Sequence, residues 1–214
     1  MLRKDTVEQY TARLASGAPI PGGGSASALV AALGMALGSM VANLTVKKVE
    51  GEEAAAIKDI LEEGEILQEK LLELVDADAE AFSGVSRVFK MPRETEEEKA
   101  ARREAMQKAL KEAAVVPMEA ARLCLKALHL QERLLELGTP HAISDVGVGA
   151  LFLGAALRGA YLNVQINLNG IKDEEHNARL EGELLALLAE GEKLAEEIYR
   201  QVEGKLNPRK GAGE

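Results

Sequence analysis

A chain of 214 residues, 47% apolar and 29% charged, has the balance of one globular domain rather than of a disordered segment. Its formal charge of −9 argues against a nucleic-acid surface, because phosphate backbones are held by clustered Lys and Arg. The single cysteine, Cys124, excludes an intramolecular disulfide framework and a cysteine-based zinc site.

Aromatic residues make up only 3% of the chain and Trp is absent, so the core must be built from Ala, Leu and Gly, whose small side chains let helices approach closely. The first five residues, Met1 to Asp5, lead into a polar stretch without the apolar core of a secretory signal. Together with the lone cysteine this points to the cytoplasm.

In chain order, residues 5–16 place Val7, Tyr10 and Leu14 at helical spacing, and Pro19 and Pro21 end the pattern. Residues 25–46 carry no charge, and Ser25 stands where a helix N-cap is expected. Residues 53–89 repeat apolar side chains every three or four positions and stop at Met91-Pro92. Residues 94–137 read as a helical pair with Pro117 at a kink or break, ended by Gly138-Thr139-Pro140. Residues 142–169 are largely apolar, and 173–206 close the amphipathic pattern. Within the former, Leu162 to Asn169 alternates apolar and polar, a strand signal. No second strand-like run exists to pair with it, so helix is expected there too. The prediction is an all-α bundle of about six to eight mostly long antiparallel helices, a single domain over 1–206, with a flexible tail at 207–214.

The uncharged segment passes the length test for a membrane span, and Gly34 and Gly38 form a GxxxG. Its Ala, Gly and Ser content argues otherwise. The only segment able to partner it holds Asp145 and Arg158, each costing at least about 2.5 kcal/mol near a bilayer centre. No membrane association is expected. A helix apolar on all sides needs cover on all sides, and a homodimer is the simplest way to supply it.

Three glycines before a helix start, in Pro21-Gly22-Gly23-Gly24-Ser25, can turn backbone N–H groups toward an anion or can simply permit a tight bend. No Gly-Lys-Ser/Thr follows, which argues against a nucleotide phosphate loop. Ser39, Asn43 and Lys47 fall at i, i+4 and i+8, one polar stripe that either lines a ligand cavity or satisfies a facing helix; Lys47, next to Lys48 at the helix end, reads as solvated. Asp76 and Asp78 lie on an amphipathic helix, and Asp78 shares a face with Phe82, so one carboxylate there can point inward. Ser144-Asp145 opens an apolar helix, where it either caps the first turn or offers a carboxylate for proton transfer. His129, His141 and His176 have no helical partners among themselves, so no metal is expected. A triad of Ser25, His141 and Asp145 can be written down but lacks a nucleophile elbow.

Taken in order, Leu14-Ala15-Ser16, Pro19 to Ser25, Met40-Val41, Leu44-Thr45, Lys47-Lys48, Asp78 with Ala81-Phe82, Met91-Pro92-Arg93, Ser144-Asp145 and Asn163 to Leu168 form a collinear set. It resembles the formiminotetrahydrofolate cyclodeaminase and methenyltetrahydrofolate cyclohydrolase family, over about residues 5–200. In animals the resemblance is to the C-terminal half of a bifunctional formiminotransferase-cyclodeaminase. The resemblance implies an all-helical dimer with a folate cleft near the subunit interface, a tetrahydrofolate derivative as substrate, and no metal or permanently bound cofactor. It implies Asp145 as base, Lys47 as acid or anion anchor, and Asp78 beside them at the reacting centre. Pro21, Gly22, Gly23, Gly24, Ser25, Asn43, Lys48 and Ser144 would line the cleft. Lys48, Arg87, Lys90 and Arg93 would meet the anionic glutamate tail. The sequence departs from the family where Gly-Asn usually precedes Ser-Asp and here Gly138-Thr139-Pro140-His141 stands, which leaves His141 without a role. The competing class is a non-catalytic helical interaction or folate-binding protein, in which the glycines are a bend and the polar stripe internal glue.

Overall fold

The computed structural model describes residues 1–207. Among them are six α-helices and no strand: α1 (Val7–Leu14), α2 (Gly23–Thr45), α3 (Gly51–Phe89), α4 (Glu96–Leu137), α5 (Ile143–Leu168) and α6 (Glu174–Leu206). The expected tail, apart from exposed Asn207, lies outside the described residues.

Local chemistry fixes several boundaries. Reciprocal capping boxes, Thr6 with Gln9 and Thr95 with Glu98, open α1 and α4, while Asp173 accepts the His176 N–H at the start of α6. Pro117 does not break its segment: α4 is one helix of 42 residues with the proline buried inside it. An interior proline costs about 3 kcal/mol, and packing of α4 against α3, α5 and α6 along its length outweighs that. The period-two run at 162–169 is helical to Leu168, because its Val164 and Leu168 fall four apart on the buried side of α5.

The two apolar helices, α2 and α5, lie antiparallel at the centre, with Gly23 beside Asn163 and Gly34 beside Gly149. Both have the length and hydropathy of a membrane span, and each is half-buried within the bundle. Fully buried Met35, Ile57, Leu71, Met118, Leu128, Leu153, Leu184 and Ile198 tie α2 through α6 into one core. Gln131 of α4 is buried among the glycines and donates from Nε2 to the Gly34 carbonyl at 2.8 Å. A Cβ on Gly38 or Gly149 would come within 2.7 and 2.5 Å of that nitrogen, so both glycines make room for a buried amide.

Cover is incomplete on one side. Leu33, Met40 and Leu44 of α2 and Val148, Leu151 and Phe152 of α5 remain exposed, forming an uncharged stripe along both helices.

Candidate active site

The glycine run closes one end of α2. The helix begins at Gly23 with Gly22 as its N-cap and no capping side chain of its own, so Ser25 is not the cap expected from sequence. The Ser25 N–H instead donates to Asp78 Oδ2 of α3 at 2.8 Å, and the Ser25 hydroxyl donates to the Val75 carbonyl. A carboxylate from another helix thus satisfies an N-terminal donor of α2, where the helix dipole favours negative charge. Gly24 makes this possible, since a Cβ there would overlap the Asp78 carboxyl. Burial pushes the Asp78 carboxyl above the ordinary carboxylate range, and the Ser25 N–H opposes the rise.

Asp78 and the glycines border a cavity of about 420 Å³, within the usual size for a small-molecule site. Its apolar walls are Ile20, Phe82, Val85, Phe89 and Ile166; Asn163 and Asn167 of α5 supply the other polar groups. Asp76, two residues away, is not part of it: it accepts the Leu2 N–H and pairs with Arg3 at 3.4 Å, anchoring the N-terminus.

The remaining expected residues lie elsewhere. Lys47, Lys48, Ser144 and His141 are exposed and Asp145 is half-buried, all at the opposite ends of α2 and α5. With 23 residues in α2, those ends are about 34 Å apart at 1.5 Å per residue. There Lys48 Nζ donates to Thr139 Oγ1 at 3.2 Å and Thr45 Oγ1 accepts the Thr139 N–H at 2.9 Å, joining α2 to the turn before α5. Neither Ser144 nor Asp145 is the N-cap of α5, which is Ala142 without a side-chain cap hydrogen bond; Asp145 stands in the first turn, where the helix dipole favours a carboxylate. Asn43 donates to the Ser39 carbonyl at 2.9 Å and borders, with Ser39, an open groove against α3 rather than the glycine cavity. Within the chain, then, Asp78 meets the glycine run but Lys47, Asp145, Asn43, Lys48 and Ser144 do not.

Of the expected cations, Arg87 and Lys90 border a hollow beside Pro19, Ile20 and Phe82. Arg93 joins Lys99, Arg102 and Arg103 around Phe89, which also borders the main cavity. Sequence reasoning assigned no part in the site to Asn163, Asn167, Phe89 or Ile166. Its available signal was the pair of asparagines four apart on an apolar helix.

The family model described as Formiminotransferase-cyclodeaminase matches residues 6–186. The chain belongs to that family. It is 43% identical to a methenyltetrahydrofolate cyclohydrolase of Methylorubrum extorquens, over 97% of this chain and 100% of that one. It is also 32% identical to the formimidoyltransferase-cyclodeaminase of Sus scrofa over 92% of this chain, and the match spans only 36% of that longer protein. The crystal structure of formiminotetrahydrofolate cyclodeaminase from Thermotoga maritima superposes with a TM-score of 0.78 at 31% identity, covering 97% of this chain and 98% of the other. Among the described residues of this family member, no cluster of three His, Cys, Asp or Glu is arranged to hold a metal.

Proposed function

We propose that the protein is a soluble, cytoplasmic enzyme acting on the one-carbon unit held between N5 and N10 of tetrahydrofolate. It either converts 5-formiminotetrahydrofolate to 5,10-methenyltetrahydrofolate and ammonia, or hydrolyses the methenyl compound to 10-formyltetrahydrofolate. The observation that carries the reading is the Asp78 carboxyl at the edge of an apolar cavity, with its pKa raised by burial and one oxygen fixed by Ser25. A carboxyl held this way can exchange protons nearer neutrality than a solvated one.

In cyclodeamination, N10 attacks the formimino carbon, loses its proton, and the former imino nitrogen leaves as ammonia. In hydrolysis, water adds to the cationic methenyl carbon and loses a proton, and the C–N5 bond breaks as N5 is protonated and the new hydroxyl releases its proton to become the formyl oxygen. Both reactions require one group to accept and return a proton beside a cationic carbon, and Asp78 fits that role. A tetrahydrofolate derivative is the substrate and no resident cofactor is needed. In a chain of net charge −9, the Arg93, Lys99, Arg102 and Arg103 group next to Phe89 offers the local positive field a glutamate tail needs.

We also assign a homodimer, formed over the uncharged stripe of Leu33, Met40, Leu44, Val148, Leu151 and Phe152. A two-fold axis across the middle of α2 sets one end of that helix against the opposite end in the second copy. Lys47 and Asp145 of the partner subunit then approach the glycine cavity and complete the polar set. Leu151→Asp should sediment as a monomer and lose turnover by about 100-fold while retaining its helical content. A fully active monomer overturns the two-subunit site.

The function itself is tested by following the ultraviolet absorbance of the methenyl chromophore. Supplied with formimino-folate, the protein should generate the chromophore with ammonia release; supplied with methenyl-folate, it should accelerate the chromophore's decay. Activity in one arm assigns the reaction. Inactivity in both, together with no tetrahydrofolate binding, favours the non-catalytic class.

A further inference from the structure

We infer that Asn163 and Asn167 form the subsite that reads the pterin ring of the substrate, taking its donor-rich edge on their side-chain carbonyls. This rests on the folate reading above and says how the ring lies in the cavity.

Both side chains line the cavity wall one helical turn apart. Each spends its amide N–H on the helix that carries it: Asn163 Nδ2 donates to the Gly159 carbonyl at 2.8 Å, and Asn167 Nδ2 to the Asn163 carbonyl at 2.8 Å. Turning either amide over would set carbonyl against carbonyl, so the backbone fixes the orientation. Two Oδ1 acceptors are left without an internal donor on a wall that is otherwise largely apolar. A complementary ligand must bring N–H groups.

The pterin ring has such an edge: the 2-amino group with N3–H beside it and, past the acceptor N1, the N8–H on the same side. The aminobenzoyl-glutamate part brings mainly acceptors and negative charge, which suit the arginines beyond Phe89 and not this wall. Position within the cavity sets the ring's direction. A Cβ on Gly23 would stand 3.5 Å from Asn163 Nδ2 and one on Gly24 would overlap the Asp78 carboxyl, so an asparagine of α5 and the carboxyl of α3 approach the glycine run from two different helices. With the 2-amino edge on Asn163 and Asn167, N5 and its one-carbon unit, across the ring, face Asp78. The apolar sides of Phe82 and Ile166 then cover the ring's faces.

The test compares Asn163→Leu, Asn167→Leu and the corresponding Asp variants for binding of tetrahydrofolate and of 6-methyltetrahydropterin, which carries the ring without the tail. Leu removes the acceptor and the intrahelical bond together, whereas Asp removes the bond and keeps an acceptor. Either Leu change should weaken both ligands about 10- to 100-fold, as loss of a buried hydrogen-bond partner does, and Asp should hold affinity within about threefold of wild type on the same reasoning. Leu variants that bind as wild type does, or Asp variants that fall as far as Leu, overturn the subsite. Wild-type protein that binds tetrahydrofolate while the pterin fails to compete overturns the subsite and leaves the folate reading standing. No tetrahydrofolate binding to wild type removes both.

Discussion

Asp78→Asn is expected to lose turnover by about 10² to 10⁴-fold, the usual size of a lost general acid–base group, while the protein remains folded and gains stability at neutral pH. The substitution keeps an oxygen for the Ser25 N–H, which the carboxyl now accepts at 2.8 Å, and adds no bulk against Gly24. Its effect on stability follows from proton linkage. Burial raises the folded-state pKa of Asp78 above the unfolded value, so between those two values the folded chain binds more protons than the unfolded one. Stability therefore declines as pH rises through that window, and above it the folded protein carries the cost of a buried anion. Asn is neutral throughout. Chemical denaturation at pH 4 and pH 7 should show the variant's advantage at pH 7 and little of it in acid. Turnover within a few-fold of wild type would remove Asp78 from the proton-handling role, whatever the stability data show.

The largest loss of stability is expected from Gly34→Val. A Cβ at Gly34 would sit 2.9 Å from the Gly149 carbonyl oxygen, 2.9 Å from Leu153 Cγ and 3.2 Å from Phe152 Cβ, three obstacles on one helix. The first is backbone and cannot move unless α5 moves with it. Separating α2 from α5 would also draw Gly34 away from Gln131 Nε2, which donates to its carbonyl. Overpacking of this kind costs about 3 kcal/mol, corresponding to a fall in Tm of roughly 6–12 °C for a chain of this length. Gly182→Ala on α6 is the control: nothing lies within 4 Å of the added methyl, and Ala is worth up to about 1 kcal/mol over Gly in a helix. Thermal melts followed by circular dichroism compare them directly. A Gly34→Val protein that melts with wild type would mean that α2 and α5 are not closely packed at this point.

The helices were legible because their determinants are local. Capping boxes at Thr6 and Thr95, the charge-free run after the glycines and the three-to-four repeat of 53–89 each act within a few residues. Pro117 misled because its rule is also local, whereas the packing that keeps α4 continuous comes from four other helices. Asp78 and Phe82 border one cavity, since i and i+4 positions share a side of any helix.

The site was less legible. Lys47 and Asp145 were joined to the glycine run by the family resemblance, and nothing in spacing says which helix ends meet within one chain. Antiparallel packing of α2 on α5 puts Asn163 and Asn167 at the glycine end and Asp145 at the other, about 27–33 Å away along α5. By itself the sequence determined an all-helical chain, its apolar central helices and the collinear motifs of its family, all readable from residue type and periodicity. Only the tertiary structure decided that the N-terminal donor of the glycine helix is satisfied by Asp78 and that an asparagine pair faces the same cavity. Those pairings join residues 53 and more positions apart in the chain, and they exist only once burial has fixed how the helices cross.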